Sequence, residues 1–213
     1  MTEKLPDERP QRRREYTGAS STLGLAALIV VAVGLAIWFF EFRDDGSSSG
    51  TAADGYGAIA LADNLNSTGR PPSAEPGRAA PDFRLSALNG EARTLSSLRG
   101  KTVLLNFWAS WCGPCRGETP DLEAFFDRFG AEKSFVVIGV NQQETPADAK
   151  AFTNQFGVSY PILLDRSGSV AEVYHTGRGL PISMLIDPQG VITRVFIGRL
   201  SAADFNQILK DLG

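Results

Sequence analysis

Cys112 and Cys115 are the only two cysteines of this 213-residue chain, and two residues separate them. Side chains three positions apart on a helix lie on the same side of one turn, where the Cα separation suits a disulfide. In such a pair one thiolate attacks a disulfide, and the second thiol resolves the mixed disulfide that results. The spacing predicts a redox centre in which Cys112 attacks and Cys115 resolves.

The segments on either side of the cysteines predict how the pair is positioned. Residues 101–108 contain a near-continuous apolar run, which is typical of a strand covered on both faces of a sheet. After the pair, a helical apolar stripe precedes Gly130 and consists of Leu122, Phe125, Phe126 and Phe129. Cys112 therefore falls at a helix N-terminus, where unpaired N–H groups and aligned peptide dipoles lower the pKa of a thiol.

Three other interpretations of the cysteine pair are a structural disulfide, half of a zinc site and two inert buried thiols. A zinc site needs two further ligands, whereas the chain has no other cysteine and a single histidine, His175. The two-residue spacing between a strand and a helix favours redox function over all three. We expect His175 to be structural or to lie on the surface.

The composition is that of an ordinary globular domain with additional material. Hydrophobic residues make up 43% of the chain and charged residues 21%, and the length fits one core domain. The formal net charge is -3, which gives no electrostatic case for binding nucleic acid.

The N-terminal part predicts a membrane anchor at residues 22–40, because Leu23 to Phe40 are apolar throughout and nearly reach the ~20 residues that span a bilayer. A cleaved signal peptide and a buried core helix are the alternatives, but charged residues follow the stretch instead of a small-residue cleavage site. Residues 1–21 are the more basic flank, so we expect them to stay in the cytoplasm. The cysteines of this single-pass cell-membrane protein then face the extracytoplasmic, oxidising side.

A stretch rich in Gly, Ser, Ala and Pro at residues 41–77 predicts a flexible linker, which leaves residues 78–213 as the folded domain. Further strands of that domain are predicted at residues 135–140, 162–164, 182–186 and 191–197. Further helices are predicted after an N-cap at Thr145, at a capping box of Ser169 and Glu172, and from Ser201. This order predicts an α/β fold with a mixed sheet and helices on both faces.

Residues 106–116, Asn-Phe-Trp-Ala-Ser-Trp-Cys-Gly-Pro-Cys-Arg, together with Pro120, resemble the thioredoxin superfamily. The segment Ala80–Leu85, the predicted anchor and Gly179-Leu180-Pro181 narrow the resemblance to the membrane-anchored TlpA/ResA-like thiol-disulfide oxidoreductases, with an AhpC/TSA-redoxin type domain. The resemblance covers residues 78–213 and implies a thioredoxin-like three-layer α/β/α sandwich with a mixed central sheet.

The resemblance also implies a client-binding surface. Pro181 corresponds to the cis-proline that the superfamily has against its cysteine pair, and a cis bond exposes the backbone of Leu180 to a substrate segment. Ile182 departs from the pattern, since relatives often have Thr there. We assign five residues to client binding, namely Trp111, Gly113, Pro114, Leu180 and Pro181.

Glu118 and Asn106 are the two residues considered as acceptors of the proton that leaves Cys115. Thioredoxin has a buried aspartate where this chain has Asn106, and an amide cannot take up a proton at neutral pH. Glu118 lies three residues after Cys115 and matches a glutamate of the TlpA/ResA-like group. We hypothesise that Glu118 is a catalytic residue, partly buried with a raised pKa, that helps to deprotonate Cys115. An exposed surface carboxylate is the alternative.

The leading functional prediction is a thiol-disulfide oxidoreductase that reduces disulfides in exported proteins and needs no dissociable cofactor and no metal. The dipeptide Gly113-Pro114 is that of thioredoxin, which is strongly reducing. The resemblance implies an integral membrane thiol carrier as electron donor and apocytochrome c as a client.

Two alternative functions use the same fold. A thiol peroxidase of the peroxiredoxin type would form a sulfenic acid at Cys112, but that class needs a Thr where this chain has Ala109. A copper-delivery protein would hold the metal between two cysteines and a histidine, with His175 as the candidate ligand. Such proteins usually have three residues between their cysteines, whereas this chain has two.

Overall fold

A computed structural model describes residues 31–33, 55–130 and 134–212 of the chain. Residues 31–33, within the predicted anchor, are helical. The rest of that anchor, the predicted cytoplasmic N-terminus and the first part of the predicted linker lie outside the described residues. In the described part of the chain, no helix combines the length and apolar character needed to cross a membrane.

The strands of the described residues form one mixed sheet. They are β1 (Gly57–Ile59), β2 (Asp82–Ala87), β3 (Ala92–Thr94), β4 (Thr102–Trp108), β5 (Phe135–Gln142), β6 (Ile162–Asp165), β7 (Ile182–Ile186) and β8 (Ile192–Ile197). Along the sheet the order is β1-β2-β6-β5-β4-β7-β8, and β3 pairs with β2. β5 runs parallel to β4 and β6, whereas β7 runs antiparallel to β4 and β8. The predicted mixed sheet is confirmed.

β4, the strand that leads to the cysteines, lies between β5 and β7. Its residues from Val103 to Trp108 are all buried, as the apolar run predicted. In its register Asn106 lies opposite Gly139 on β5 and opposite Ser183 on β7. The polar side chain of Asn106 therefore enters the interior of the domain next to another polar residue.

Four α-helices follow strands of the sheet, namely α1 (Gly113–Phe129), α2 (Pro146–Phe156), α3 (Ser169–Val173) and α4 (Ala202–Leu212). Short 3-10 turns occur at Asp63–Leu65, Ser96–Leu98 and Thr176–Arg178. The predicted N-cap of α2 is confirmed, because the side chain of Thr145 accepts the N–H of Asp148. Gly157 ends α2 with a φ of 65°, a left-handed conformation that glycine adopts without strain.

Alternate residues of the strands point into two apolar clusters, one on each face of the sheet. On β4, Val103, Leu105 and Phe107 belong to the first cluster, whereas Leu104 and Trp108 belong to the second. Helix α3 contributes to the first cluster, and α1, α2 and α4 contribute to the second. Helices therefore cover both faces, as expected for a thioredoxin-like α/β fold.

Two local features differ from the predictions. Gly57–Ile59 lie within the predicted linker but pair antiparallel with β2, so this part of the linker belongs to the folded domain. The predicted capping box at Ser169 is wrong, because α3 begins at that residue and its hydroxyl accepts the N–H of Ala58 on β1. The buried carboxylate of Asp165 accepts the N–H of Ala171 at 2.7 Å and so caps the helix instead.

Candidate active site

The cysteine pair lies where β4 passes into α1. Cys112 is the N-cap residue of α1, with an extended backbone, and Cys115 lies in the first turn. The two sulfurs form a disulfide, with the Cα atoms 5.2 Å apart. The backbone N–H of Cys115 donates to Cys112 Sγ at 3.2 Å. The predicted position of Cys112 at a helix N-terminus is confirmed, and this position stabilises a thiolate.

The surroundings of the disulfide are exposed on one side. Cys112 exposes 4% of its surface and Cys115 only 1%. Trp111 exposes 72%, and Gly113 and Pro114 are exposed as well. An incoming protein therefore meets the residues around Cys112 first, while Cys115 is shielded.

The Leu180–Pro181 peptide bond is cis, as predicted. The carbonyl of Pro181 accepts the N–H of Gly198 at 2.8 Å, which connects the segment before β7 to the end of β8. Leu180 is half-buried and packs against the apolar cluster that contains both cysteines. Leu180 also packs against the apolar cluster on the other face of the sheet, and its role in client binding stays a prediction.

Glu118 lies one turn after Cys115 on α1 and exposes only 1% of its surface. Asn106 Nδ2 donates to Glu118 Oε1 at 2.8 Å, and the backbone N–H of Leu200 donates to Glu118 Oε2 at 2.5 Å. Burial raises the pKa of Glu118 from 4.5 to about 7, although both hydrogen bonds act to lower it. Glu118 is thus almost fully buried where the sequence predicts partial burial, and its pKa is raised in the expected direction. The alternative of an exposed carboxylate is wrong, and the role of Glu118 in deprotonating Cys115 stays a prediction.

Asn106 connects Glu118 to the central strands of the sheet through hydrogen bonds. Besides its bond to Glu118, Asn106 Nδ2 donates to Ser183 Oγ on β7 at 2.9 Å. An amide has no titration near neutral pH, whereas a carboxyl with a pKa of about 7 exchanges its proton readily there. Within this buried network, Glu118 is therefore the group that can take up or release a proton.

A carboxylate that the sequence analysis missed holds the chain just before Cys112. Glu144 Oε2 accepts the N–H of Ser110 at 2.7 Å, and Glu144 Oε1 accepts the hydroxyl of the same serine. Asn141 Nδ2, on β5, also donates to Glu144 Oε2, at 2.6 Å. The signal lay in the strand order, because Glu144 follows a strand parallel to β4 and the carboxyl ends of parallel strands meet at one edge.

Two other residues considered from the sequence have structural surroundings that assign them no step of disulfide exchange. Trp108 is 3% exposed and packs on Phe152 with ring centroids 4.4 Å apart, so it belongs to the core. His175 is exposed, with a left-handed φ of 55°. Within the described ranges, no group of three or more His, Cys, Asp or Glu side chains could hold a metal ion.

Comparison with known proteins gives one family and several oxidoreductases. The model of the AhpC/TSA family matches residues 76–195. The chain is 36% identical over 139 residues to thiol-disulfide oxidoreductase ResA of Geobacillus thermodenitrificans (strain NG80-2), an alignment that covers 64% of this chain and 77% of the relative. It is 34% identical over 134 residues to thioredoxin-like protein YneN of Bacillus subtilis (strain 168), with 62% and 78% covered.

Among solved structures, the thioredoxin domain of a thiol-disulfide oxidoreductase from Bacteroides vulgatus has a TM-score of 0.60 and 27% identity to this chain. The match covers 65% of this chain and 99% of that domain. The alignments with the two relatives and with this domain cover 62% to 65% of the chain and not the whole of it. The family match at residues 76–195 includes the disulfide.

Proposed function

The chain belongs to the AhpC/TSA family and is a thiol-disulfide oxidoreductase, and on that premise we propose that it reduces disulfides in exported proteins. One observation supports the proposal most strongly. The disulfide joins Cys112, the N-cap residue of α1, to Cys115 in the first turn of the same helix. This arrangement favours a nucleophilic thiolate at Cys112 once the bond is reduced.

The proposed cycle starts from the reduced pair. The Cys112 thiolate attacks one sulfur of the client disulfide, that S–S bond breaks, and the departing client sulfur takes up a proton. Cys115 then gives its proton to the Glu118 carboxylate and attacks Cys112 Sγ, and the S–S bond between Cys112 and the client breaks. The second client sulfur leaves as a thiolate and takes up a proton from water, and Glu118 returns its own proton to water. The client has gained two electrons and two protons, and the enzyme is left with the disulfide.

The Gly113-Pro114 dipeptide between the cysteines supports the reducing direction. Thioredoxin has the same dipeptide, and the reduction potential of thioredoxin is about -270 mV. Electrons for the next cycle then come from an integral membrane thiol carrier, and we propose apocytochrome c as a client. The cycle uses no dissociable cofactor and no metal. Residues 22–40 anchor the protein in this proposal, with residues 1–21 in the cytoplasm and the cysteines outside.

A trapping experiment tests the exchange scheme. In a Cys115→Ser variant the resolving thiol is missing, so Cys112 should retain its partners as stable mixed disulfides that mass spectrometry identifies. The matched control is Cys112→Ser, which should capture none. Capture of apocytochrome c and of a membrane thiol carrier is the expected result.

A second assay measures the disulfide reductase activity of the unaltered chain, with insulin as the substrate and dithiothreitol as the electron source. No trapped partner together with no insulin reduction would overturn the proposed function. Rapid consumption of hydrogen peroxide by the reduced chain would instead support the peroxidase alternative.

A further inference from the structure

We propose that Glu144 is a positioning residue that holds the loop before Cys112 in the geometry that thiolate attack requires. The inference rests on the disulfide exchange proposed above for Cys112 and Cys115. Glu144 lies between β5 and α2, and the cycle described so far assigns it no role. Its carboxylate nevertheless accepts two hydrogen bonds from Ser110, which is two residues before the attacking cysteine.

All the polar groups of Ser110 are held. Its N–H donates to Glu144 Oε2 at 2.7 Å and its hydroxyl donates to Glu144 Oε1. Its carbonyl accepts from Arg116 Nη1 at 3.3 Å. The N–H of Cys112 donates to the carbonyl of Ala109 at 3.1 Å, which closes the turn around Ser110. The path of the chain into Cys112 is thus fixed through Ser110.

Glu144 is itself held by a strand and a helix that lie outside the loop. Asn141, which is buried on β5, donates to Glu144 Oε2 at 2.6 Å. The next residue, Thr145, is the N-cap of α2. A carboxylate held by a central strand and by the start of a helix is a rigid support, and side chains supported in this way position active-site groups most precisely.

Arg116 connects the same loop to α2 from its other side. Its guanidinium lies over the rings of Phe152 and Phe156, 5.7 Å and 5.1 Å from their centroids, and donates to Gln155 Oε1 at 3.1 Å. These three residues belong to α2. The loop before Cys112 is therefore held between β5 and α2, with Glu144 supplying the contact to the sheet.

The physical consequence concerns the thiolate. Stabilisation by a helix N-terminus falls off within the first turn, so Cys112 Sγ must stay close to the first N–H groups of α1. A loop freed from Glu144 would let the sulfur leave that position. The charge of the carboxylate acts in the opposite direction, because a nearby anion disfavours a thiolate. Loss of support slows thiolate reactions, whereas simple loss of charge accelerates them.

The test measures alkylation of Cys112 by iodoacetamide as a function of pH, in the full chain with Cys115→Ser and in its reduced state. Glu144→Ala should slow alkylation at neutral pH about fivefold and shift the profile to higher pH. Glu144→Gln keeps an acceptor oxygen for the N–H groups of Ser110 and Asn141 but removes the negative charge, so its rate should equal or exceed that of the parent. Ser110→Ala, which loses only the hydroxyl bond, should slow the reaction about twofold.

The chain offers a matched control in Glu123. Glu123 Oε2 accepts the N–H of Ser159 at 2.8 Å and Oε1 accepts the hydroxyl of Ser159, so the contact has the same form. Glu123 lies more than two turns after Cys115 on α1. Glu123→Ala loses two hydrogen bonds of the same form and should leave the alkylation profile unchanged.

Two results would overturn the inference. One is an alkylation profile of Glu144→Ala that equals that of Glu123→Ala, and the other is faster alkylation in both Glu144→Ala and Glu144→Gln. If Glu144→Ala fails to fold, the Ser110→Ala variant tests the inference in its place. An alkylation profile of Ser110→Ala equal to that of the parent would then overturn the role of Glu144. Insulin reduction by the chain with both cysteines is measured in parallel, so absence of that activity would count against the proposed function and not against the role of Glu144.

Discussion

Glu118 is almost fully buried and accepts two hydrogen bonds, and the burial and the hydrogen bonds act on its pKa in opposite directions. Burial disfavours the charged carboxylate, whereas the amide of Asn106 and the N–H of Leu200 favour it. The positive charge of Arg199 also lowers the pKa, and Asp121 raises it. Burial has the largest effect, and the resulting pKa of about 7 places the proton exchange of this residue in the physiological range.

Replacing Glu118 by Gln should remove a pH-dependent part of the stability. Between pH 4.5 and about 7 the folded state keeps the proton on Glu118 while the unfolded state loses it, so the free energy of unfolding falls as pH rises. The contribution is complete below pH 4.5 and is lost above about 7, and it amounts to about 3 kcal/mol. Urea unfolding of the oxidised chain and of Glu118→Gln at several pH values measures the difference.

The control for this prediction is Glu172→Gln, which alters an exposed carboxylate on α3. That variant should keep the pH dependence of the unaltered chain. Parallel stability curves for the unaltered chain and Glu118→Gln would show that Glu118 does not hold its proton in the folded state.

The elements around the cysteines pack with no spare room at Gly139 on β5. A Cβ atom at this position would lie 2.6 Å from Ile162 Cδ1, 3.0 Å from Trp108 Nε1 and 3.2 Å from Tyr160 Cε2. The glycine therefore lets the ring of Trp108, at the end of β4, pack directly over the backbone of β5. This contact fixes the end of the strand from which the cysteine loop departs.

Gly139→Ala should lower the free energy of unfolding by about 1–3 kcal/mol, because the added methyl overpacks a buried contact. Gly177→Ala is the control, since a Cβ at Gly177 meets nothing within 4 Å. Urea unfolding of both variants checks the prediction. Equal unfolding midpoints for the two would mean that the sheet adjusts around the methyl at little cost.

The sequence predicts individual elements where the signal is local. The apolar run of β4, the stripe of α1 and the Thr145 cap of α2 are read from residues a few positions apart, and all three are confirmed. The cap of α3 was missed because Asp165 reaches forward from the end of β6 to the N–H of Ala171. This cap forms only because the turn at Gly168 brings the start of α3 back to the end of β6, and composition alone does not specify that turn.

Contacts between residues far apart in the chain are harder to predict from the sequence than single helices and strands. The sequence indicated that Glu118 is buried only through a family resemblance, because the N–H that contacts it belongs to Leu200, 82 positions away. Strand β1 has three residues, too few for an alternating pattern to be recognised. The position of Glu144 beside Ser110 follows from the parallel pairing of β4 and β5, which becomes certain only in three dimensions.

The predicted anchor at residues 22–40 is tested by the location and the length of the mature protein. The full chain should stay in the membrane fraction after an alkaline carbonate wash and should keep residues 1–40, as measured by mass spectrometry of the purified protein. In intact cells, a membrane-impermeant maleimide should label Cys112 after mild reduction. A mature chain that lacks residues 1–40 would contradict the anchor and support a cleaved signal peptide.

The strand order makes the support of the cysteine loop depend on distant parts of the chain. β4 acquires β7 as its second neighbour only from residues 182–186, and the bond between Asn106 and Ser183 joins positions 77 apart. Such closures carry an entropic cost before any contact repays it, so a mixed sheet with such distant pairings is expected to form more slowly than a bundle of helices. During synthesis, Cys112 and Cys115 leave the ribosome before β7 does, so both thiols are present while the sheet still lacks that strand.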